Sequence, residues 1–448
     1  MTDHARQCRS RVLFTGDEPG AASHSTENPA TRVVCRLADV SLDATSISQD
    51  RLNIDGKVRS NLFPWNGQFS PQLVHVLLET YGRRGDIVLD PFMGSGTVLV
   101  EAARLRQRPF GAEINPAACK MAQTYAFMND SVETRKETIK EIDEALVDAL
   151  GFGPLFSALG EPGHEAGARQ KLLNLWRRQG AGSRTGRLLE TLIVLLDFYG
   201  PDVAMKRIFA TWRKLSRQTL ELPFTDEPVD FVNCDARHLP LGPEVVDLVT
   251  TSPPYINVFN YHQQYRASAE AMGWDLLHVA KSEIGANRKH RGNRFLTVIQ
   301  YCLDMCQVLA EMRRVCKPSA RIILVVGRES NVRKTPFYNG DIVVRIGTRC
   351  AALSAESRQE RVFKNKFGRL IYEDILHFRR ADEARAENEA PGAIAKEVLT
   401  EALDYCPVES EEDLHDSLRR AAEVKPSAVY FRLNTDAHQR HETAHASS

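Results

Sequence analysis

Short β-rich runs alternate with amphipathic helices along most of this 448-residue chain, and that alternation narrows the folds open to it. "DIVLD" (86–90) leads into a glycine-rich turn and then into "TVLVEAARLRQ", a helical pattern, with "RPFGAEI" following as a second strand. The pattern resumes at "FVNCDARHLPL" and "VVDLVTT" and continues through the helix "CLDMCQVLAEMRRVCKP" to "ARIILVVG", a strand apolar enough to be buried on both faces. "RVFKNKFGRLIYEDILHFRR" reads as two strands meeting at Gly368. Strands alternating with helices imply an α/β fold with a mainly parallel sheet covered on both faces. Ligands of such sheets bind outside the carboxyl ends of the strands, so the chemistry is expected there.

The alternation is interrupted once, and this divides the chain into five segments. Residues 1–55 are rich in Ser, Thr, Asp and Asn with little periodicity and read as a loose N-terminal arm. Residues 56–130 hold the first strand–helix–strand unit, preceded by a helix in which Leu73, Val76, Leu77 and Tyr81 recur at helical spacing after Pro71. Residues 131–227 are helix-forming and strongly charged, as in "ETRKETIKEIDEALVDAL" and "RLLETLIVLLDFYG", and read as a helical insertion. Residues 228–380 resume the alternation, and 381–448 form an acidic and polar extension.

Two strand ends carry the chemistry. At the first, "VLDPFMGSGTVLVEA" places Asp90 at the end of a strand and Gly94 and Gly96 in the turn. Glycines there allow positive φ and close approach of the backbone to a ligand, and the next helix presents unpaired N–H groups. Glu113 ends the following strand, where dinucleotide folds hold a ribose diol. The turn lacks both the G-x-G-x-x-G of a dinucleotide site and the Gly-Lys-Ser/Thr of a P-loop, so it suits an adenosine without pyrophosphate. At the second, "VVDLVTTSPPY" ends a strand in two prolines, with a hydroxyl before them and an aromatic ring after them. Prolines have no N–H and hold φ near −65°, so this is a rigid elbow.

"DPFMGSGT", followed by "FGAEINP" and later by "SPPY", resembles the S-adenosylmethionine-dependent amino-methyltransferases of DNA, which act on cytosine N4 or adenine N6. The resemblance covers roughly residues 60–125 and 228–378. It implies a Rossmann-like methyltransferase fold with a mostly parallel seven-stranded sheet, and S-adenosylmethionine as cofactor. It assigns cofactor contacts to Asp90, Pro91, Phe92, Gly94, Ser95, Gly96 and Thr97 at the methionine end, to Glu113 at the ribose, and to Asn115 beside it. Asp235, in "NCDARHLPL", would receive the adenine amino group, and Phe69, in "FPWNGQFSPQLV", lies in the segment that folds over the methionine moiety. The order, cofactor half before catalytic half, resembles the permuted groups of that family, while the long insertion departs from it.

On the same resemblance Ser252, Pro253, Pro254 and Tyr255 are the catalytic residues. An exocyclic amine is a poor nucleophile because its lone pair is delocalised into the ring. Acceptors for its protons, the Ser252 side chain and the Pro253 carbonyl, push it toward tetrahedral geometry and stabilise the charge that develops. Tyr255 offers a ring face to a base swung out of its helix. Within the family, Ser before Pro-Pro-Tyr is more often seen with cytosine enzymes, so N4-methylcytosine is the expected product. Cytosine C5 chemistry needs a thiol nucleophile, typically in a Pro-Cys pair, and the chain has no Pro-Cys dipeptide.

Beyond the elbow, a basic run holding Arg288, Lys289, Arg291 and Arg294 is a candidate for phosphate contacts; residues 177–187 and 327–340 are further candidates for substrate recognition. Lys and Arg together equal Asp and Glu at 58 each, so a nucleic-acid surface requires local segregation of charge. No apolar run approaches the roughly 20 residues that span a bilayer, and the opening residues lack an apolar signal core, so a cytoplasmic protein without membrane contact is expected. The nine cysteines include no C-x-x-C pair, and Cys302 and Cys306, one helical turn apart, have no further ligands nearby. Reduced buried thiols are expected, and no metal. The expected partner is DNA, with cognate restriction or defence proteins as possible associates. The alternatives are an N6-adenine DNA enzyme, an RNA base amino-methyltransferase using a similar elbow, and a cofactor-sensing nucleic-acid binding module without turnover.

Overall fold

The first strand, Ile87–Asp90 (β1), alternates its side chains between two apolar layers, Val88 to one and Leu89 to the other, both fully buried. The same alternation separates Leu248 from Val249, Ile323 from Ile322 and Ile375 from Leu376, as expected when both faces of a sheet are covered. The structure is a computed structural model that describes residues 36–54, 56, 58–150, 167–200, 202–256, 260–286, 290–365, 368–381 and 390–431.

Among the described residues, the other strands are Arg108–Ala112 (β2), Asp230–Val232 (β3), Val246–Thr251 (β4), Cys316–Gly327 (β5), Glu329–Val332 (β6), Thr335–Tyr338 (β7), Leu353–Lys364 (β8) and Leu370–Arg380 (β9). Seven of them form one sheet in the order β3-β2-β1-β4-β5-β9-β8, while β6 and β7 make a separate hairpin. Strands β1 to β5 pair in parallel, and β9 runs antiparallel to both β5 and β8. This is the expected mostly parallel, seven-stranded, Rossmann-like sheet. The expected hairpin is β8–β9, with Gly368 at φ 76° in its turn. From β1 the chain winds outward to β3 and then returns to place β4 beside β1, so the ends of these two strands flank the crevice at the switch point.

Helices cover both faces. On one lie Gln49–Asn53 (α1), Pro71–Tyr81 (α2) and Thr97–Arg104 (α3), with Leu52, Leu73, Leu77 and Val98 packed on Val88, Leu248 and Ile323. Pro71 starts α2 at the position where a missing N–H costs nothing. After β2 come Pro116–Ala122 (α4) and four helices between β2 and β3: Val132–Leu150 (α5), Ala168–Gln179 (α6), Arg184–Leu196 (α7) and Met205–Leu220 (α8). These four share an apolar cluster that includes Leu146, Leu172, Leu192 and Trp212, joined by the short Arg266–Ala271 (α9) and Leu276–Ala280 (α10). On the other face of the sheet, Leu296–Val315 (α11), Asn339–Arg349 (α12) and Pro391–Ala402 (α13) pack on Leu89, Val249 and Leu324, with Val408–Arg419 (α14) outside them.

Both ends of the chain are more integrated than the composition suggests. Residues 1–35 of the expected loose arm lie outside the described residues, but its remainder packs: Val40, Ile47 and Leu52 are buried, and Asn53 Oδ1 accepts from the Val362 N–H at 2.9 Å. In the C-terminal extension, Ser427 donates to Asp304 on α11, and the buried Arg345 of α12 pairs with Glu401 of α13. These contacts are non-local, so no periodicity in the short segments announces them.

Candidate active site

Asp90 ends β1 with its side chain 3% exposed, and its Oδ1 accepts from the Thr251 hydroxyl at 2.6 Å and from the Phe92 N–H at 3.1 Å. That pair joins the two strands at the switch point. Burial pushes the Asp90 carboxyl up to about 7, the hydrogen bonds offsetting part of the effect. Gly94 and Gly96 turn the chain at φ 52° and 92°; a Cβ on Gly96 would lie 2.6 Å from the Tyr125 ring, and one on Gly94 3.1 Å from Trp65. The turn is held by Glu113 at the next strand end, which accepts from the Gly94 N–H at 2.9 Å and the Asn115 N–H at 2.7 Å. Burial pushes Glu113 up to about 7 as well; its two backbone hydrogen bonds oppose the shift, and the Asp90 and Glu283 carboxylates add to it.

Phe69, Asp90, Pro91, Phe92, Gly94, Ser95, Thr97, Glu113, Asp235, Ser252 and Pro254 line one cleft. Residues 90 to 252 are thereby brought together from four strand ends. Gly96 sits behind the turn at the head of α3. Asn115 faces elsewhere: its Oδ1 caps α4 by accepting from the Ala117 N–H, and its Nδ2 donates to the Tyr261 carbonyl at 2.9 Å. Asp235 differs from expectation. Its two oxygens already accept four hydrogen bonds, from the Arg237 N–H, Nε and Nη2 and from the Tyr430 N–H, so an incoming amino group would have to share an oxygen already in use.

Sequence reasoning missed Tyr261, Ser282, Glu283 and Ile284, which complete the cleft, and did not single out Trp65. Trp65 stacks with Tyr261 and Tyr265 at ring separations of 6.4 and 6.2 Å. Glu283 is buried and faces His262 Nδ1 at 2.7 Å. Four carboxylates line the cleft, Asp90, Glu113, Asp235 and Glu283, of which Asp235 is already paired with the buried Arg237, and the described lining itself includes no Lys, Arg or His. Such a site favours a cationic ligand carrying hydroxyl or amino donors and repels a phosphate chain.

The elbow after β4 divides its residues between two spaces. Ser252 and Pro254 line the acidic cleft, while Ser252, Pro253 and Tyr255 line an adjoining groove that also shares Phe69 and Tyr261 with the cleft. Ser252 Oγ and Tyr255 Oη are hydrogen-bonded at 3.0 Å. The Tyr255 ring lies against Gly327, where a Cβ would come within 3.1 Å of it. Burial pushes the Tyr255 hydroxyl well above its ordinary range, so it stays neutral.

Of the basic run, Arg288 and Lys289 lie outside the described residues. Arg291 is exposed and Arg294 half-buried, and neither lines the cleft or the groove. Between them, Asn293 donates to the Asp413 carbonyl and the Asp416 carboxylate of α14, which anchors this stretch to the C-terminal helices. The segment 327–340 forms the β6–β7 hairpin, and in 177–187 Arg184 pairs with Asp130. Among the described residues no cluster of His, Cys, Asp and Glu has the form of a metal site, and no helix is long and apolar enough to cross a membrane.

Residues 42–124 match the N6/N4 methyltransferase family model, described as DNA methylase. The Type II methyltransferase M.MjaII of Methanocaldococcus jannaschii is 32% identical over 119 residues, which are 27% of this chain and 20% of that protein. The match thus spans about a fifth of the length of that relative. Among solved structures, a SAM-dependent methyltransferase from Methanosarcina mazei aligns over 68% of this chain and 98% of its own, at 12% identity and a TM-score of 0.33. Another SAM-dependent methyltransferase, from Aquifex aeolicus, aligns over 69% and 99%, at 11% identity and a TM-score of 0.24.

Proposed function

We propose that this chain, whose residues 42–124 match the N6/N4 DNA methylase family model, transfers a methyl group from S-adenosylmethionine to the exocyclic amine of a base in DNA, at cytosine N4. The observation that carries the reading is the elbow: one side chain, Ser252, walls both an acidic cleft and a groove, and the residues after it alternate between the two. A methyl donor on one side and an acceptor amine on the other would meet at Ser252.

The cleft fits the cofactor. S-adenosylmethionine brings an electrophilic methyl on a positively charged sulfonium, an ammonium group and two ribose hydroxyls, and carries no phosphate. The Asp90, Glu113 and Glu283 carboxylates and the absence of described basic groups in the lining suit its cationic groups and hydroxyls, and the N–H groups at the head of α3 would face its single carboxylate. Glu113 keeps acceptor capacity beyond the Gly94 and Asn115 N–H groups and would take the ribose hydroxyls. Asp90 and the turn after it would hold the methionine end, covered by Phe69 and Trp65.

On the groove side, Ser252 would accept a proton of the amine, and its bond to Tyr255 fixes the hydroxyl orientation beforehand. Two prolines keep the strand end from yielding as the amine is pressed toward tetrahedral geometry. The Tyr255 ring, seated on Gly327, would stack on an extruded base. The methylated amine is acidic enough to lose its proton to water, so no general base is required. The test supplies purified protein with methyl-labelled cofactor and either duplex DNA or total RNA. Label in DNA supports the proposal, whereas label confined to RNA, or no transfer beside measurable cofactor binding, would overturn it.

A further inference from the structure

The groove beyond Ser252 contains a feature that the transfer chemistry does not use. Strand register sets Gly327 of β5 opposite Glu373 of β9, and Glu373 opposite Arg361 of β8. Directly opposed residues share a face of a sheet, so the three form one row across its carboxyl edge. Tyr255 lies over the first member, and Tyr255, Glu373 and Arg361 all line the groove. Arg361 is 5% exposed, its Nη1 is 3.3 Å from Glu373 Oε2, and its Nε is buried without a hydrogen-bond partner. The Phe363 ring supports the guanidinium from 4.4 Å. Between them, the backbone of Val362 is tied to Asn53, which fixes this end of β8.

A buried guanidinium with an unused donor is costly unless something supplies an acceptor. On the reading proposed above, an extruded base would place its amine at Ser252 and its remaining edge along this row. Cytosine presents two neighbouring acceptors beyond its amine, N3 and O2. Adenine presents one, N1, and then a C–H. We propose that Arg361 reads the target base by donating to the N3 and O2 of cytosine, with Glu373 as the positioning residue that holds the guanidinium in place. Arginine suits this task because Nε–H and an Nη–H form parallel donors in a fixed fork. An adenine in the same place would leave one donor unmatched, so the pair discriminates between the two bases. The inference deepens the proposed function and depends on it.

The test compares the wild type with Arg361→Gln and Arg361→Lys, using a pool of random-sequence duplexes and labelled cofactor at saturation. Methylated nucleosides are resolved by mass spectrometry, cofactor affinity is read by calorimetry, and melting temperature confirms folding. We expect Arg361→Gln to lower the single-turnover rate of N4-methylcytosine formation about 10- to 100-fold, the usual range for losing a bidentate base contact. Arg361→Lys should fall between, because it keeps the charge and loses the fork. Cofactor affinity should stay within about twofold. A wild-type cytosine rate in Arg361→Gln would overturn the assignment. So would weaker DNA affinity with the single-turnover rate intact and a reduced salt dependence, the signature of a phosphate contact. Should the wild type itself label adenine, the cytosine reading fails before any variant is compared, which separates the two failures.

Discussion

Ser252 Oγ and Tyr255 Oη meet at 3.0 Å across two consecutive prolines, closing a small ring of structure at the end of β4. Each end of this ring is tied to a different part of the site. The residue before Ser252, Thr251, donates to Asp90 in the cleft, while the Tyr255 ring rests on Gly327 above the groove. The hydroxyl at the boundary is thus held from both sides, and a group so held needs little reorganisation during reaction.

Ser252→Ala should therefore lower the single-turnover methylation rate by about 10²- to 10³-fold, the range typical of losing one preorganised polar contact. Tyr255→Phe removes the oxygen that orients Ser252 but keeps the ring, so a loss nearer tenfold is expected. Cofactor affinity by calorimetry should be unchanged in both. A wild-type rate in Ser252→Ala would remove the hydroxyl from the chemistry.

Cofactor binding should depend on pH in a defined direction. Burial raises Asp90 and Glu113 to about 7 in the unliganded protein, so their neutral forms are favoured there. Their contribution to folding stability is therefore fully present below their ordinary carboxylate values, near pH 4, and is lost as pH rises through about 7. A cationic ligand reverses the preference by stabilising the ionised forms. Affinity for S-adenosylmethionine should rise at least roughly tenfold between pH 6 and pH 8 and level off above. The double variant Asp90→Asn, Glu113→Gln should bind weakly and without this slope. Flat affinity for the wild type across the window would contradict the charge assignment of the cleft.

Gly96→Ala should destabilise the fold. Its φ of 92° is strained for any residue with a Cβ, and the added carbon would lie 2.6 Å from the ring of Tyr125, itself 2% exposed. Backbone strain and overpacking together suggest a cost of about 2–5 kcal/mol in urea unfolding. A change within about 0.5 kcal/mol, the range of an ordinary surface substitution, would show that the turn relaxes freely.

Asp304→Ala should be costly for another reason. Arg237, with its side chain 1% exposed, is held between Asp235 and Asp304, and the same Asp304 receives both the N–H and the hydroxyl of Ser427. Removing one partner of a buried ion pair typically costs about 3–5 kcal/mol. Because the segment after Ser427 brings the Tyr430 N–H to Asp235, the variant should also increase proteolysis near the C-terminus. Unchanged stability and unchanged proteolysis would contradict this role for the C-terminal segment.

Asp90, Glu113 and Ser252 were legible in the sequence because each stands at a strand end, within a few residues of a turn whose chemistry is local. The hairpin at Gly368 was legible for the same reason. Glu283, Arg361 and Glu373 were not, because strand register and long-range packing bring them to the site, and nothing near them in sequence marks them. The basic run shows the converse. Charge composition can nominate Arg291 and Arg294 for phosphate, but it does not say where they lie, and Asn293 between them anchors to α14 instead. Asp235 occupies the expected strand end, yet its partner Tyr430 is 195 residues away, and that distance hides how fully its oxygens are used.

The most direct test of the account is the identity of the methylated nucleoside. Purified protein, methyl-labelled S-adenosylmethionine and unmethylated duplex DNA of mixed sequence are incubated together, and the digested nucleosides are separated and weighed. The account predicts label in N4-methylcytosine, abolished or strongly reduced by Ser252→Ala. Label in N6-methyladenine, in C5-methylcytosine, or in no nucleoside of DNA while the protein binds its cofactor would contradict it.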